Sequence, residues 1–459
     1  MHLTFSDDAA LDESGVRLNK SKPIVVVLGP SRMSSGMKAS GAKPRAPALN
    51  PAGAQPLDAV SAAKAGRRVL VVSHDPAFPP ISGADLRNYR NAESATQFGP
   101  VCLVSVLPQA TETTDPSIRT EALSIKGEAR SASIGWWRIR AERRISRVAL
   151  TRLEALVRDF RPETVLIEGI GLFKLLRPLR ALTKHLILDM HNVESDLAGQ
   201  LRHVDVKRPA VATISAGLGI RRLERKAIAL VDRVWVCSSQ DRERLMALSR
   251  HKLPIDVVPN GIPHAGHSPE TLPAEPGSGE SFPVILFVGH LGYPPNVDAV
   301  QRLAGSILTR IRLALPTATL ILAGRNPTTA VQALAGLRGV ELVEDPEDMA
   351  PLLSRAHLTI IPLAAGGGTR IKILEAMAWG VPVIATPLAA EGLDLVDGEE
   401  LLLSDTDEGL AGMAVGLCLD GDRRARQRIR AHQAVWARFG PEAIRNAVRG
   451  GLGLDEAGT

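Results

Sequence analysis

Gly366-Gly367-Gly368-Thr369-Arg370-Ile371-Lys372-Ile373-Leu374-Glu375-Ala376-Met377-Ala378-Trp379-Gly380 decides how this 459-residue chain is read. Three consecutive glycines leave the backbone bare, Thr369 can cap a helix, and good helix formers follow. Gly380, with Pro382 beyond it, ends the element. The pattern predicts a glycine loop feeding a short helix. Arg370 and Lys372 then fall in its first turn, where the helix dipole disfavours each cation by roughly a few tenths of a kcal/mol or more. A bound anion reverses that sign: exposed N–H groups, two side-chain cations and glycine backbone together make a phosphate cradle. Glu375 lies one turn beyond Lys372 on the same face, within reach of the ribose hydroxyls of a nucleotide held there. The competing reading is a solvated Lys372–Glu375 pair after a glycine-rich turn.

Outward from this loop the chain alternates apolar runs with helical segments. The run Leu358–Leu363 delivers the loop and Val381–Thr386 follows it; Pro283–Gly289, a helix from Val297, Ala318–Arg325 and Gly339–Val343 come before. The same rhythm fills the first half, with strand-like runs at Arg67–Ser73, Val101–Val106, Thr164–Ile167, His185–Asp189, Arg233–Ser238 and Ile255–Gly261. Alternation of this kind predicts an α/β chain with two doubly wound parallel sheets. Prolines and glycines between 263 and 281 mark a linker. The expected organisation is a poorly structured extension over 1–66, a first domain over 67–265, a linker over 266–281, a second domain over 282–432 and a terminal helix and tail over 433–459. Within the extension, Pro23–Gly29 resembles a strand before a phosphate loop but lacks the Gly-Lys-Ser/Thr ending.

Ligands of open α/β sheets bind beyond the carboxyl ends of strands. The loop His74–Asn88, with Gly83 able to admit a close backbone approach and Arg87 in the helix after it, therefore faces a cleft, unless it is only a proline-stiffened connection. His191 sits just past the run ending at Asp189, where it serves either the cleft or the core. The segment Trp136–Arg158 reads as a basic amphipathic helix. Arg140, Arg143, Arg144 and Arg147 fall on one face behind Trp136 and Trp137, and it docks either on an anionic membrane or on its own sheet.

A net charge of +6 suits phosphorylated small molecules or anionic lipids and does not make nucleic acid the first inference. Three scattered cysteines, Cys102, Cys237 and Cys418, match no disulfide or metal framework and predict ordinary core thiols in a reducing compartment. No apolar run reaches a membrane span, and Met1 is not followed by a basic segment and an apolar core. The expectation is a cytoplasmic protein, at the inner face of the membrane if the basic helix docks there.

Several stretches together resemble family 4 of the GT-B glycosyltransferases, which are retaining enzymes. They are Val258-Pro259-Asn260-Gly261-Ile262, Phe287-Val288-Gly289, Gly292-Tyr293-Pro294-Pro295-Asn296-Val297-Asp298-Ala299-Val300 and Gly366 to Thr386. In the first half Pro79-Pro80-Ile81-Ser82-Gly83 and Asp189-Met190-His191-Asn192 look like that family's acceptor-side loop and cleft histidine. The resemblance runs from about residue 67 to nearly the end. It implies two Rossmann-like domains across a cleft, a nucleotide-diphosphate sugar as donor, a glycan or lipid-linked acceptor, retention of anomeric configuration, and no metal or other cofactor. On that resemblance Glu375 binds ribose; Gly367, Gly368, Thr369, Arg370 and Lys372 hold the diphosphate; Gly324, Arg325 and the stretch from Val343 through Glu344 to Pro346 hold the base; Gly83 approaches the donor; and His191 contacts the sugar near the reacting centre, with Arg370 and Lys372 counted as catalytic.

Two positions depart from the family. Gly367 stands where a first glutamate is common, and His290 and Tyr293 replace the usual Arg and Lys after the first strand of the second domain. A subgroup with Tyr-Pro-Pro-Asn and Gly-Thr-Arg-Ile-Lys matches better, so Arg370 and Lys372 are expected to take over the phosphate role. An epimerase or hydrolase on the same plan, or a non-catalytic nucleotide-sugar binding subunit, is the alternative. Asp405-Thr406-Asp407 has the form of a metal–diphosphate motif from another fold but is expected to cap a helix.

Overall fold

A computed structural model describes residues 66–109, 111, 113, 115–124, 145–201, 210–249, 252–263, 268–277, 279 and 282–455. The extension over 1–65, with the run at Pro23–Gly29, lies outside the described residues, as do Trp136, Trp137, Arg140, Arg143 and Arg144.

The first sheet has seven parallel strands: β1 (Val69–Ser73), β2 (Val101–Ser105), β3 (Ile118–Ala122), β4 (Thr164–Glu168), β5 (His185–Met190), β6 (Arg233–Val236) and β7 (Ile255–Val257), in the spatial order β3-β2-β1-β4-β5-β6-β7. Alternate residues of its central strands enter two separate cores. Leu70 and Val72 join one cluster and Val69 and Val71 the other, so both faces are covered and β1 reads as an unbroken apolar run. The strand β3 was not legible in the sequence. Of Ile118-Arg119-Thr120-Glu121-Ala122 only Ile118 is buried, because an edge strand needs no continuous apolar run.

The second sheet has six parallel strands, β8 (Val284–His290), β9 (Thr319–Arg325), β10 (Val340–Glu344), β11 (Leu358–Ile361), β12 (Val383–Ala385) and β13 (Leu402–Leu403), ordered β10-β9-β8-β11-β12-β13. In both sheets the order reverses beside the first strand, between β1 and β4 and between β8 and β11. Crevices form at such switch points.

Three local readings change. Thr369 does not cap the helix after the glycine loop. That helix spans Ile371–Ala378 with Arg370 at the cap position, while the Thr369 hydroxyl is engaged by Asn260. The basic segment is not one helix from Trp136 to Arg158. Ser146 is extended, its side chain accepts the Ala149 N–H, and the helix Arg147–Phe160 starts only there, burying Ala149, Leu153, Val157 and Phe160. The helix expected from Val297 begins at Pro294, whose missing N–H costs nothing in a first turn.

The other end of the Ile371–Ala378 helix is closed as the glycine predicts. Gly380 takes φ +66°, its N–H donates to Met377 O (2.9 Å), and Val381 N–H donates to Ala376 O (2.8 Å). Thr406 caps the helix Asp407–Leu419 by accepting the Gly409 N–H, so the Asp405-Thr406-Asp407 run is a helix start.

The expected boundary at 432/433 falls inside the helix Gly421–Phe439, which buries Ala431, Val435 and Trp436 against the second domain. The chain turns at Gly440 instead. The helix Pro441–Gly451 then crosses to the first domain, where Ile444 and Val448 pack with Val69, Trp235 and Val258, and Trp235 Nε1 donates to Gly451 O (3.0 Å). The carboxyl terminus thus straps one domain to the other.

Candidate active site

The helix Gly83–Ala95 is started by a capping box: Ser82 Oγ accepts the Asp85 N–H (3.2 Å) and Asp85 Oδ2 accepts the Ser82 N–H (2.8 Å). This fixes Arg87 about one and a half turns after the cap, pointing inward with 2% of its surface exposed. Arg87 Nε and Nη2 donate to Asp189 Oδ1 (3.0 and 2.6 Å), and Asn91 Nδ2 donates to Asp189 Oδ2 (3.1 Å). Burial by itself raises the Asp189 carboxyl. Arg87, with help from His191, outweighs that and holds it at about 2. His191 Nε2 lies 3.5 Å from Asp189 Oδ2, so the imidazole stands beside a fixed carboxylate just past the end of β5. Arg87 Nη1 also donates to Val258 O (2.6 Å) and Asn260 Oδ1 (3.2 Å).

Asn260 passes this network to the second domain, its Nδ2 donating to Thr369 Oγ1 (2.7 Å). The glycine loop lies directly on the dipeptide His191-Asn192. A Cβ added at Gly367 would stand 2.8 Å from Asn192 Oδ1. One at Gly368, where φ is +62°, would stand 2.5 Å from His191 O. Gly368 is therefore required by the close approach of the opposite domain's backbone, while a side chain at Gly367 would have to displace the Asn192 carboxamide. Gly366 N–H donates to Gln200 Oε1 (3.1 Å), and a Cβ at Gly83 would reach 3.0 Å from Ile371 Cδ1.

On the second-domain side the two cations behave differently. Arg370 turns back on its own loop: Nη1 donates to Gly367 O (2.8 Å) and also to Gly368 O, and Nη2 to Leu388 O (3.4 Å). It braces the loop carbonyls and turns the intervening backbone toward the cleft. Lys372 goes into the switch-point crevice, where Nζ donates to Asn296 Oδ1 (3.0 Å) and stands 4.1 Å above the Phe287 ring. Asn296 is in turn anchored by Nδ2 on His290 O (2.9 Å). Burial, then the positive charge of Arg370, depress the Lys372 ammonium to about 7. Burial pushes the Glu375 carboxyl up to about 7. The solvated-pair reading of Lys372 and Glu375 does not hold: Glu375 is buried, and the half-buried Lys372 directs its ammonium to Asn296 and the Phe287 ring.

Gly324, Arg325 and Glu344 sit at the carboxyl ends of β9 and β10, in register along the same edge. Gly324 has φ +146° and its Cβ would collide with Gly289 O, Leu291 N–H donates to Arg325 O (2.7 Å), and Glu344 Oε1 accepts from Gln332 Nε2 (3.2 Å). From β10 to β11 is three strand spacings, about 14 Å. The edge therefore runs from Glu344 to the glycine loop as one trough. Asn296, Asn192, Asn260 and Asp189 are the site residues not singled out by the sequence for a role of their own. Asn296 and Asn260 stand in motifs that were legible, whereas the reach of Asn192 across the cleft leaves no mark in a linear sequence. Among the described residues no cluster of His, Cys, Asp and Glu is arranged to hold a metal ion.

Comparison with known proteins agrees with this geometry. Residues 282–420 match the family model described as Glycosyl transferases group 1. A phosphatidyl-myo-inositol mannosyltransferase of Mycolicibacterium smegmatis is 27% identical over 244 residues, covering 51% of this chain and 60% of that protein. The match thus spans less than two thirds of that relative's own length. Among solved structures, sucrose-phosphate synthase from Thermosynechococcus elongatus superposes with a TM-score of 0.66 at 16% identity, covering 86% of this chain and all of the other. An Anabaena protein crystallised with UDP and glucose superposes with a TM-score of 0.57 at 16% identity, covering 84% of this chain and all of the other. The chain has the GT-B fold, two doubly wound parallel-sheet domains facing a cleft, and its second domain carries the group 1 glycosyl transferase sequence pattern.

Proposed function

We propose that this GT-B protein is a glycosyltransferase that moves a sugar from a nucleoside diphosphate to a glycan or lipid-linked acceptor, with retention of configuration and without a metal. The observation that carries the reading is Lys372. Its half-buried side chain carries the ammonium into the switch-point crevice with a carboxamide and a ring for company, and the charge acting on it is another cation, Arg370. A buried cation without a carboxylate partner is costly unless an anionic ligand completes the site. A diphosphate does so, and its charge grows as the glycosidic bond stretches, so the same ammonium stabilises the departing group more than the bound donor. Arg370 contributes by fixing the loop from behind, Glu375 takes the ribose, and the β9–β10 end of the trough takes the base.

Across the cleft, His191 is held by Asp189 at the place where the sugar meets the acceptor domain. Asn192 covers the position of the absent glutamate. The test is donor-dependent release of nucleoside diphosphate by the purified chain with a panel of nucleotide sugars. Transfer requires an acceptor and gives a product with the donor's anomeric configuration. Turnover of the donor sugar to its epimer without an acceptor would establish the epimerase alternative, and tight binding with no release would establish the non-catalytic one. No helix among the described residues is long and apolar enough to cross a membrane.

A further inference from the structure

The short helix Glu194–Gln200 follows His191-Asn192 almost at once, and none of its seven residues is fully buried. Apolar packing therefore fixes it weakly, and polar tethers hold it. Gln200 Oε1 accepts the Gly366 N–H of the glycine loop (3.1 Å), and Asp196 pairs with Arg244 (3.7 Å), which in turn meets Glu391 of the second domain. A further tether is at its start. Val193, in the cap position, has no side-chain acceptor to offer the first N–H groups. Glu224, from the helix Ala210–Ile228, supplies one: its Oε1 accepts the Ser195 N–H (3.0 Å).

Ile220, Glu224, Ala227 and Ile228 form the inward stripe of their helix, so a carboxyl group occupies a core position, with none of its residue's surface exposed. Its second oxygen, Oε2, is buried with no hydrogen-bond partner among the described residues. Burial pushes the carboxyl up to about 7, and the hydrogen bonds of Ser195, which act the other way, offset only part of that. An apolar side chain of similar size would be cheaper to bury there, so stability does not account for this residue. What it does is hold Ser195. The segment 191–194 is thereby strung between two fixed points, the end of β5 and the Glu224 carboxyl group.

We propose that Glu224 is a positioning residue for sugar transfer: by holding Ser195 it sets where the His191-Asn192 dipeptide lies against Gly367 and Gly368, without touching substrate itself. The effect on rate rests on the transferase reading; the ordering of the segment does not.

Three substitutions test it. Glu224→Gln keeps an acceptor at the same reach, Glu224→Asp keeps a carboxyl group but withdraws it by one methylene, and Glu224→Leu removes the acceptor altogether. The kcat for acceptor-dependent release of nucleoside diphosphate should fall roughly tenfold in Glu224→Asp and Glu224→Leu and stay at the wild-type level in Glu224→Gln. Donor KM should not change, because Lys372 and its partners Asn296 and Phe287 all belong to the second domain. A carboxyl group kept only for the fold would instead lower the urea midpoint when removed; in Glu224→Leu that midpoint should equal or exceed the wild type's. Independently of activity, amide hydrogen exchange over 193–200 should rise roughly tenfold in Glu224→Asp and Glu224→Leu, with the strands of both sheets unchanged.

Full kcat in Glu224→Leu, an equal loss in Glu224→Gln, a raised donor KM, a lowered urea midpoint in Glu224→Leu, or unchanged exchange over 193–200 would each overturn the proposal. If the wild-type chain releases no nucleoside diphosphate from any nucleotide sugar, the transferase reading falls, and the exchange and urea measurements still decide whether Glu224 holds the dipeptide in place.

Discussion

The two banks of the cleft handle buried charge in opposite ways. On the first domain Arg87, Asp189 and Asn91 satisfy one another with hydrogen bonds of 2.6–3.1 Å, and the carboxylate is held at about 2. On the second domain Lys372 and Glu375 are both displaced to about 7, each chiefly by its own desolvation. A buried group whose charge is matched inside the protein serves the fold. Lys372, which meets no carboxylate among the described residues, is open to a ligand. On the proposed function the first bank is a scaffold behind His191, and Lys372 on the second receives the donor's phosphates.

The strongest way to break this contrast is to remove one charge from each bank. Arg87→Met leaves Asp189 buried without its counter-charge and should destabilise the fold by about 3–5 kcal/mol, read by urea unfolding. Lys372→Met should leave the unliganded protein as stable as the wild type or more so. The same variant should weaken nucleoside diphosphate binding by roughly 1.5–3 kcal/mol in calorimetry, the worth of a charge-assisted hydrogen bond. If both variants destabilise alike, the two banks are equivalent and the reading of Lys372 as a ligand-directed cation is wrong.

pH sharpens the contrast further. Glu375 has a raised value, so the folded state holds its proton longer than the unfolded chain and stability falls as pH rises from the ordinary 4.5 to about 7. Lys372 has a lowered value, so the folded state loses its proton earlier and stability rises from about 7 toward the ordinary 10.5. Together they put a trough near pH 7 in the stability of the unliganded protein, which Lys372→Met with Glu375→Gln should flatten. Asp189 acts at the other end of the scale: its stabilisation, present above the ordinary 3.8, disappears as pH falls toward about 2. Donor binding just above pH 7 should take up a proton at Lys372, visible as a dependence of the calorimetric heat on the buffer's ionisation enthalpy.

The two smallest effects concern the seam between the banks. Gly368→Ala adds a Cβ at φ +62° against His191 O and should cost about 1–3 kcal/mol, with a parallel loss of donor affinity. Asn260→Ala removes the carboxamide that joins Arg87 to Thr369 and should cost about 1–2 kcal/mol in thermal unfolding. Unchanged stability in Asn260→Ala would show that the seam is held by the carboxyl-terminal strap alone.

What the sequence determined by itself was whatever has a period or a fixed local spacing. Apolar runs such as Val69–Val72 and Leu320–Ala323 fixed both parallel sheets, because strands covered on both faces need no alternation. The glycine loop, the Schellman end at Gly380 and the wrong-end cations were legible because they depend on neighbours within one turn. Tertiary structure decided the rest. It drew Thr369 away from its helix to meet Asn260, turned Arg370 onto its own loop, sent Lys372 into the crevice against Asn296 and Phe287, and set Asn192 against Gly367. It also sent the last helix across to the first domain. Each of these is a contact between residues 70 or more positions apart, or a choice between a local partner and such a distant one. Local spacing cannot rank those alternatives, since desolvation is set by what packs around a side chain and not by what precedes it in the chain.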